Sequence, residues 1–332
     1  MATRTEPTTA PSVALAQAAR QALHAPSVLN TQPWRWRIAG DTLELWADPE
    51  RQLDVVDSAH RLLTVSCGAA LHHALVALAG QGYRTRVDRL ADPEHPFKLA
   101  TIRLDGRLDP TAADRDLLAA MSKRRTDRRA FTDETVPAAH LRQLTEVARR
   151  NGSGLHLVRF DQIPMLAVAT AQAAEAELAD PAYRSELGRW TSRPAEAGDG
   201  VPHSVAVQQG PRRIPVRDHA LGGPAGLEIG ADNDGGASFA LLYGPTDTPD
   251  GWLRGGEALS AVLLTAVTLG LSTAPVSDPI EVPWPRALTR GLLTEGGEPY
   301  LVLRIGYGHG PEHLPPAPRR RFEDVIEWWT GA

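Results

Sequence analysis

The segment Pro137–Arg150 places Leu141, Leu144 and Val147/Ala148 on one face of a helix. Val13–His24 also has helical composition. Pro33–Ile38 and Thr42–Trp46 read as strands joined across Ala39-Gly40-Asp41, a short hairpin connection. Two longer runs, Thr64–Tyr83 and Ala258–Ser277, contain no Asp, Glu, Lys or Arg and approach membrane-spanning length. His72, His73 and Gln81 interrupt the first, and Ser260, Thr265, Thr268, Ser272 and Pro275 the second. That pattern suits helices buried inside a large core rather than membrane spans. Strand-like runs follow downstream of each, Leu99–Leu104 and then Tyr300–Ile305. Helices interleaved with few strands predict an α+β fold.

These elements repeat. At an offset of 126, Pro11, Leu15, Gln17, Ala22, Ser27 and Leu29 meet Pro137, Leu141, Gln143, Ala148, Ser153 and Leu155. At an offset of 188, Gly68, Ala70, Leu71, Leu75 and Gly82 meet Gly256, Ala258, Leu259, Leu263 and Gly270. Two matches in one order indicate an internal duplication. The offset grows by 188 − 126 = 62, so the second copy carries about 62 extra residues between its first and second helix. Between Arg193 and Gly251, 18 of 59 residues are Gly or Pro, which locates that insertion in long loops. Loops of this length either serve as lids or binding segments or are disordered. The expected division is an irregular N-terminus at 1–11, a first half at 12–112, and a second half at 113–332 with its lid at 193–251.

Lys plus Arg is 35 and Asp plus Glu is 40, a net charge of −5, which excludes a general affinity for nucleic acid or anionic membrane driven by bulk charge. Met1–Pro11 is polar, with no apolar signal-peptide core. One cysteine, Cys67, can form neither an internal disulfide nor a Cys-cluster metal site, and it reads as a small packed residue in a cytoplasmic protein. His72 and His73 are adjacent and cannot share a helix face, which argues against a metal pair. Gly306–Gly310 leads into Pro311 rather than a helix and lacks the context of a dinucleotide fingerprint.

Two clusters carry chemistry. Ser27, Asn30 and Gln32 crowd several donors and acceptors into the loop before the first strand. They either cap the helix end and shape the turn, or match the edge of a planar heterocycle. Lys123–Arg129 holds five cations in seven residues, with Thr126 among them. It is either a solvated basic stretch or a phosphate site, since Arg offers bidentate donors to phosphate oxygens. A third basic group, Arg319-Arg320-Arg321, follows the Pro-rich Pro311–Pro318.

The order Ala25-Pro-Ser-x-x-Asn-x-Gln-Pro-Trp34, Arg124-Arg-Thr-x-Arg128, Gly270-Leu-Ser-Thr273 and Arg304-Ile-Gly-Tyr-Gly308 resembles the FMN-dependent nitroreductase superfamily. The runs Asp250–Leu264 and Asp199-Gly-Val-Pro202, with Arg217-Asp218 downstream, resemble its Acg-type branch. The resemblance spans about residues 12 to 328. It implies a nitroreductase homodimer fused into one chain, monomeric, with one composite FMN site. Ser27, Asn30 and Gln32 are then expected at the flavin ring or ribityl chain. Arg124, Thr126 and Arg128 would hold the phosphate, assisted by Arg125 or Arg129 and by Arg319 or Arg320. Ala274, Pro275 and Val276 would run beside the ring. At the 126 offset Ser27, Asn30 and Gln32 fall opposite Ser153, His156 and Val158, so the second copy has lost most of that set. The resemblance implies either a protein that sequesters FMN under the lid, with weak or no nitroreductase activity, or an active NAD(P)H-dependent oxidoreductase acting on nitro or quinone-type substrates.

Overall fold

The computed structural model describes residues 10–221, 223–230, 233–308 and 314–329. Of the expected irregular N-terminus, 1–9 lies outside the described residues, and Ala10 and Pro11 already belong to the first helix. Pro311, within the Pro-rich run, and the end of the Gly306–Gly310 motif also lie outside.

The first half contains α1 (Ala10–Ala22), β1 (Trp34–Ala39), β2 (Thr42–Ala47), α2 (Arg61–Gly80), β3 (Tyr83–Arg89) and β4 (Lys98–Arg107). β1 alternates strictly, with Trp34, Trp36 and Ile38 buried and Arg35 and Arg37 turned outward, the two-residue period of a half-buried strand. A linking helix, α3 (Ala112–Lys123), begins with a reciprocal cap: Asp114 N donates to Thr111 Oγ1 at 3.1 Å and Thr111 N to Asp114 Oδ2 at 2.8 Å.

The second half runs α4 (Ala138–Arg150), β5 (Gly154–Leu157), α5 (Ile163–Ala179), α6 (Pro181–Thr191), β6 (Ser238–Gly244), α7 (Pro249–Thr268), β7 (Ser272–Val276), α8 (Asp278–Glu281), α9 (Pro283–Arg290) and β8 (Glu298–Gly306). The chain then returns to the first half through α10 (Phe322–Val325) and β9 (Ile326–Trp329), which pairs in parallel with β1. One sheet runs β3-β4-β2-β1-β9 and the other β5-β6-β8-β7. Read from the matching edge, the second is β7-β8-β6-β5, so both halves build the same four-strand order from elements in the same sequence. The duplication is a property of the fold.

The long apolar helices α2 and α7 pack together at the centre. α2 is long and apolar enough to cross a membrane, yet 83% of its apolar window is buried inside the protein. Cys67 lies within it, fully buried, and burial pushes its thiol pKa up. His72 and His73 both meet Ser260 of α7, with Nδ1 to Oγ distances of 2.7 and 2.8 Å. They fasten the two helices, and among the described residues no cluster suits a metal ion.

Three expectations change. The charge-free run Ala258–Ser277 is not one helix: α7 starts earlier, at Pro249, and 272–276 is strand β7. Gly270, with φ of 72°, makes the break, as Gly82 does with φ of 79° after α2. Second, the 126 offset holds for α1 and α4 but fails beyond them. Residues 23–33 lead from α1 to β1, whereas only 151–153 lead from α4 to β5. His156 is a strand residue and Val158 lies just past that strand, so the second half lacks the loop itself. Third, the insertion begins earlier than Arg193. It occupies 158–237 between β5 and β6, where the first half has only the 40–41 hairpin, and it contains α5 and α6. Residues 238–244 and 249–251, within the expected lid, belong to β6 and α7.

Candidate functional site

The loop 24–32 has an unusual backbone. Leu29, Asn30 and Gln32 have φ of 43°, 54° and 50°, a left-handed conformation that costs non-glycine residues energy and persists only where surroundings enforce it. The enforcement is visible. Gln32 N donates to Ser27 Oγ at 2.9 Å, and Val28 N donates to Ser66 Oγ on α2 at 3.1 Å. Asn30 Nδ2 donates to Gly200 O and Pro318 O, both at 3.0 Å, while its Oδ1 accepts from Arg319 Nη1 at 2.7 Å. One side chain thus ties the loop to the insertion and to the C-terminal tail. Asp199, beside Gly200, is clamped by Arg51 and Arg193.

Two cavities meet at this loop. Both are lined by Pro26, Ser27, Thr126 and Arg128. The first lies beside β7 and is mainly apolar, walled by Val28, Leu62, Val65, Leu259 and Ala274–Val276. β7 is an edge strand, which admits Pro275 without breaking a ladder. Segment 124–128 runs along that edge, with Asp127 N donating to Thr273 O at 3.1 Å. The insertion supplies Val216, Arg217 and His219 to the same cavity.

The second cavity is basic. Arg124, Arg125, Arg128 and Arg319 line it with His24, Ser122, Asn30 and residues 314–317, and among the described residues no carboxylate does. Arg124 Nε and Nη1, Arg125 Nε and Arg319 Nε are buried without a hydrogen-bond partner. Burial pushes the Arg124 pKa down to about 9, aided by repulsion from Arg319, Arg125 and Arg128, and burial with Arg125 brings Arg319 down to about 10. His24 is lowered too, by burial and then by Arg319, Arg124 and Arg125. Buried donors left unmatched are costly, and crowded cations of one sign attract an anion. The arrangement is built to receive a group with several acceptor oxygens and negative charge.

The structure sorts the expected residues. Ser27, Asn30, Arg124, Arg125, Thr126, Arg128, Ala274, Pro275, Val276 and Arg319 all line one or both cavities. Gln32 and Arg320 line neither. Gln32 is fully buried; its Nε2 donates to Gly198 O at 2.8 Å and its Oε1 accepts from Arg320 N at 3.0 Å. Arg320 Nη1 in turn donates to Gln32 O at 3.1 Å and reaches Asp48. The two hold the tail against the loop. Arg129 is bound to Asp127 through Nε at 3.0 Å and Nη2 at 2.8 Å.

Other lining residues were not singled out for the site: His24, Ser66, Val216, Arg217, His219 and Asp278. Arg217-Asp218 stands in the sequence, but nothing local signals its partners. Arg217 Nη2 gathers Asp278, Glu281 at 2.6 Å and Glu177 at 3.3 Å, while Tyr183 Oη donates to Glu281 Oε2 at 2.6 Å. Burial opposes the Arg217 charge, yet these partners hold its pKa well above the ordinary value.

No family model matches the chain. Among curated proteins it is similar to "Putative NAD(P)H nitroreductase Rv3131" of Mycobacterium tuberculosis, 38% identical over 312 residues, covering 92% of this chain and 89% of the relative. "Putative NAD(P)H nitroreductase acg" from the same organism is 32% identical over 318 residues, covering 93% and 94%. Solved structures give looser overlays. The FMN-dependent nitroreductase NfnB of Mycobacterium smegmatis, in complex with NADPH, has a TM-score of 0.43 at 16% identity, covering 66% of this chain and 100% of that one. The FMN and NADPH-dependent nitroreductase NfnB of a "sphigopyxis" strain has a TM-score of 0.41 at 21% identity, covering 65% and 99%. The assignment rests on the sequence relatives alone: with 38% identity to Rv3131 across most of both proteins, the chain belongs to the NAD(P)H nitroreductase family that includes Rv3131 and acg.

Proposed function

We propose that the chain binds one FMN across the two adjoining cavities and acts as a nitroreductase-type flavoprotein whose ring face is shielded by the insertion. The observation that carries this reading is the set of guanidinium N–H groups of Arg124, Arg125 and Arg319 with no hydrogen-bond partner around a cavity that no carboxylate lines among the described residues. A phosphate monoester supplies the acceptors and charge those groups lack. Thr126 adds a hydroxyl, Ser27 borders both cavities, Asn30 lines the basic one, and Ala274–Val276 wall the apolar one where a ring would lie. Gln32 and Arg320 position the loop and tail. The fit is therefore to FMN as a whole: phosphate among the arginines, ring in the apolar cavity.

FMN, when bound, supplies hydride chemistry at its ring. The protein's part is to orient the ring and set its electrostatics, with Arg128 lying between phosphate and ring regions. Val216, Arg217 and His219 limit what reaches the ring, which favours weak nitroreductase activity with NAD(P)H and partial sequestration of the cofactor. We take the first half as residues 10–112 together with the returning segment 322–329, and the second as beginning at 113, with the shielding segment inside 193–237. Joining both halves in one chain buries α2 against α7 without a second copy, so the working form is a monomer. It acts in the cytoplasm, where the lone Cys67 stays reduced.

Anaerobic mixing of the FMN-loaded chain with excess NADPH or NADH tests the shielding. Bleaching of the flavin over minutes supports it; complete bleaching within the mixing time overturns it.

A further inference from the structure

Beside the apolar cavity lies a smaller one built almost entirely by the insertion. Arg128, Gln208, Gln209, Arg212, Arg217 and His219 line it, and among the described residues no carboxylate does. Arg128, Val216, Arg217 and His219 are shared with the larger cavity, so the two adjoin. The room inside suits about one water-sized group. It takes the end of a ligand rather than a ring.

Its cations are incompletely matched. The Arg212 side chain is 3% exposed, yet its Nη1 has no hydrogen-bond partner, and the nearest carboxylate oxygen of Asp234 is 3.6 Å away. Asp234 is already engaged, accepting from Arg304 Nη1 at 2.8 Å with both oxygens and from Phe131 N at 2.7 Å. Arg217 Nη2 is committed to three carboxylates, but its Nε is buried without a partner. Arg128 makes no hydrogen bond or ion pair with the described residues. Burial pushes the pKa of Arg212 and of Arg128 down to about 10, with repulsion from Arg304 on Arg212 and chiefly from Arg217 on Arg128. His219 is held neutral by burial and by Arg128 and Arg217, so it adds no charge of its own to the cavity.

We propose that this side cavity is a carboxylate subsite: one oxygen of the acid group of a small aromatic substrate enters it, with the rest of the carboxylate at its mouth and the reducible body in the apolar cavity. The carboxylate would accept from Arg212 Nη1 and Arg217 Nε, two buried donors without a hydrogen-bond partner, with Arg128 and the Gln208 and Gln209 amides around it. A neutral ligand of the same shape leaves those donors unmatched. Because discrimination against a ligand that leaves buried polar groups unpaired is strong, the subsite selects acids over their neutral analogues. The substrate class rests on the reading of the apolar cavity as the flavin-ring site; the acid preference does not.

The test compares 4-nitrobenzoate with 4-nitrobenzamide, its neutral analogue. Binding to the FMN-loaded full chain is followed through the flavin absorbance, and FMN content is measured in the same samples. The acid should bind at least tenfold more tightly, the scale of a hydrogen bond to a charged group. In Arg212→Gln that advantage should fall to about twofold with FMN content unchanged. Gln209→Leu, which removes an amide donor from the cavity and keeps every arginine, should reduce it as well and serves if Arg212→Gln does not fold. Equal binding of acid and amide, or an acid advantage that survives both substitutions, overturns the proposal. Calorimetry on the flavin-free chain separates the two readings: an Arg212-dependent acid preference in a chain that takes up no FMN would keep the subsite and remove the flavin assignment.

Discussion

Gly68 of α2 and Gly256 of α7 meet with no side chain between them. A Cβ on Gly256 would stand 2.8 Å from Gly68 Cα and 2.0 Å from Val65 O; one on Gly68 would stand 2.9 Å from Gly256 Cα and 2.0 Å from Leu253 O. The contact is reciprocal, because Val65 and Leu253 are separated by the same 188 positions as the glycines. Such self-complementarity is the mark of a two-fold interface, here enclosed in one chain. Adding one methyl forces backbone apart at the centre of the molecule. Gly68→Ala and Gly256→Ala should each destabilise the protein by about 1–3 kcal/mol, the cost of overpacking a core, read as a lower denaturation midpoint. A midpoint unchanged in both would show that the helices separate freely.

Arg124→Ala should distinguish FMN from riboflavin, which lacks the phosphate. Losing a hydrogen bond to a charged group costs roughly 1.5–3 kcal/mol, or about tenfold to a hundredfold in affinity. FMN binding should weaken by that factor and riboflavin binding by less than about threefold. Equal losses for the two ligands, measured by titration of the flavin-free protein, would remove Arg124 from the phosphate site.

The Arg217 cluster makes stability depend on pH. Burial raises the Glu177 pKa to about 9 and the Asp278 pKa to about 6; Arg217 opposes both shifts, while neighbouring carboxylates add to them. In the unfolded chain these groups titrate near 4.5 and 3.8. Across the intervening window the folded state therefore binds more protons, so its stability falls as pH rises. The contribution is fully present below about pH 4 and is lost through about pH 9. Glu177→Gln keeps a neutral group in place, so it should lose less stability than the parent between pH 5 and pH 9. Parallel denaturation curves for the two proteins across that range would contradict the assignment.

His219 bounds both the apolar cavity and its side cavity. His219→Ala should open the ring face, and NADPH should then reduce the bound flavin several-fold faster in stopped-flow mixing. Deleting the whole loop is a poorer test, since removal of Arg217 would leave Glu177, Asp278 and Glu281 buried without their cation. An unchanged reduction rate in His219→Ala would mean that this side chain does not shield the ring.

The two halves were legible because their signals are local. The β1 alternation, the α4 face and the glycine pairs at the 188 offset each depend on short segments. β7 was hidden because Leu271, Thr273 and Ala274 are as buried and uncharged as the helix before them, so periodicity alone cannot separate strand from helix there. The early part of the insertion was hidden for another reason. Glu177 and Glu186 are acids on α5 and α6 that are buried rather than solvated. Glu186 accepts from the backbone N–H groups of Asp54, Val55 and Val56, more than 100 residues away in sequence. In the sequence Gln32 looks like a ligand-facing amide because its partners, Gly198 and Arg320, are 166 and 288 residues distant. The clusters that line the basic cavity were visible as residue types; the closure of the tail through Arg319 onto Asn30 depends on the tertiary fold.

The central claim is one composite FMN site per chain, with its loop from the first half and its arginines from the linker and the C-terminal tail. Calorimetric titration of the flavin-stripped, monodisperse protein with FMN measures this directly. The account requires saturation at one FMN per chain. Saturation at two, as for a duplication that kept both sites, or no binding at all, would contradict it.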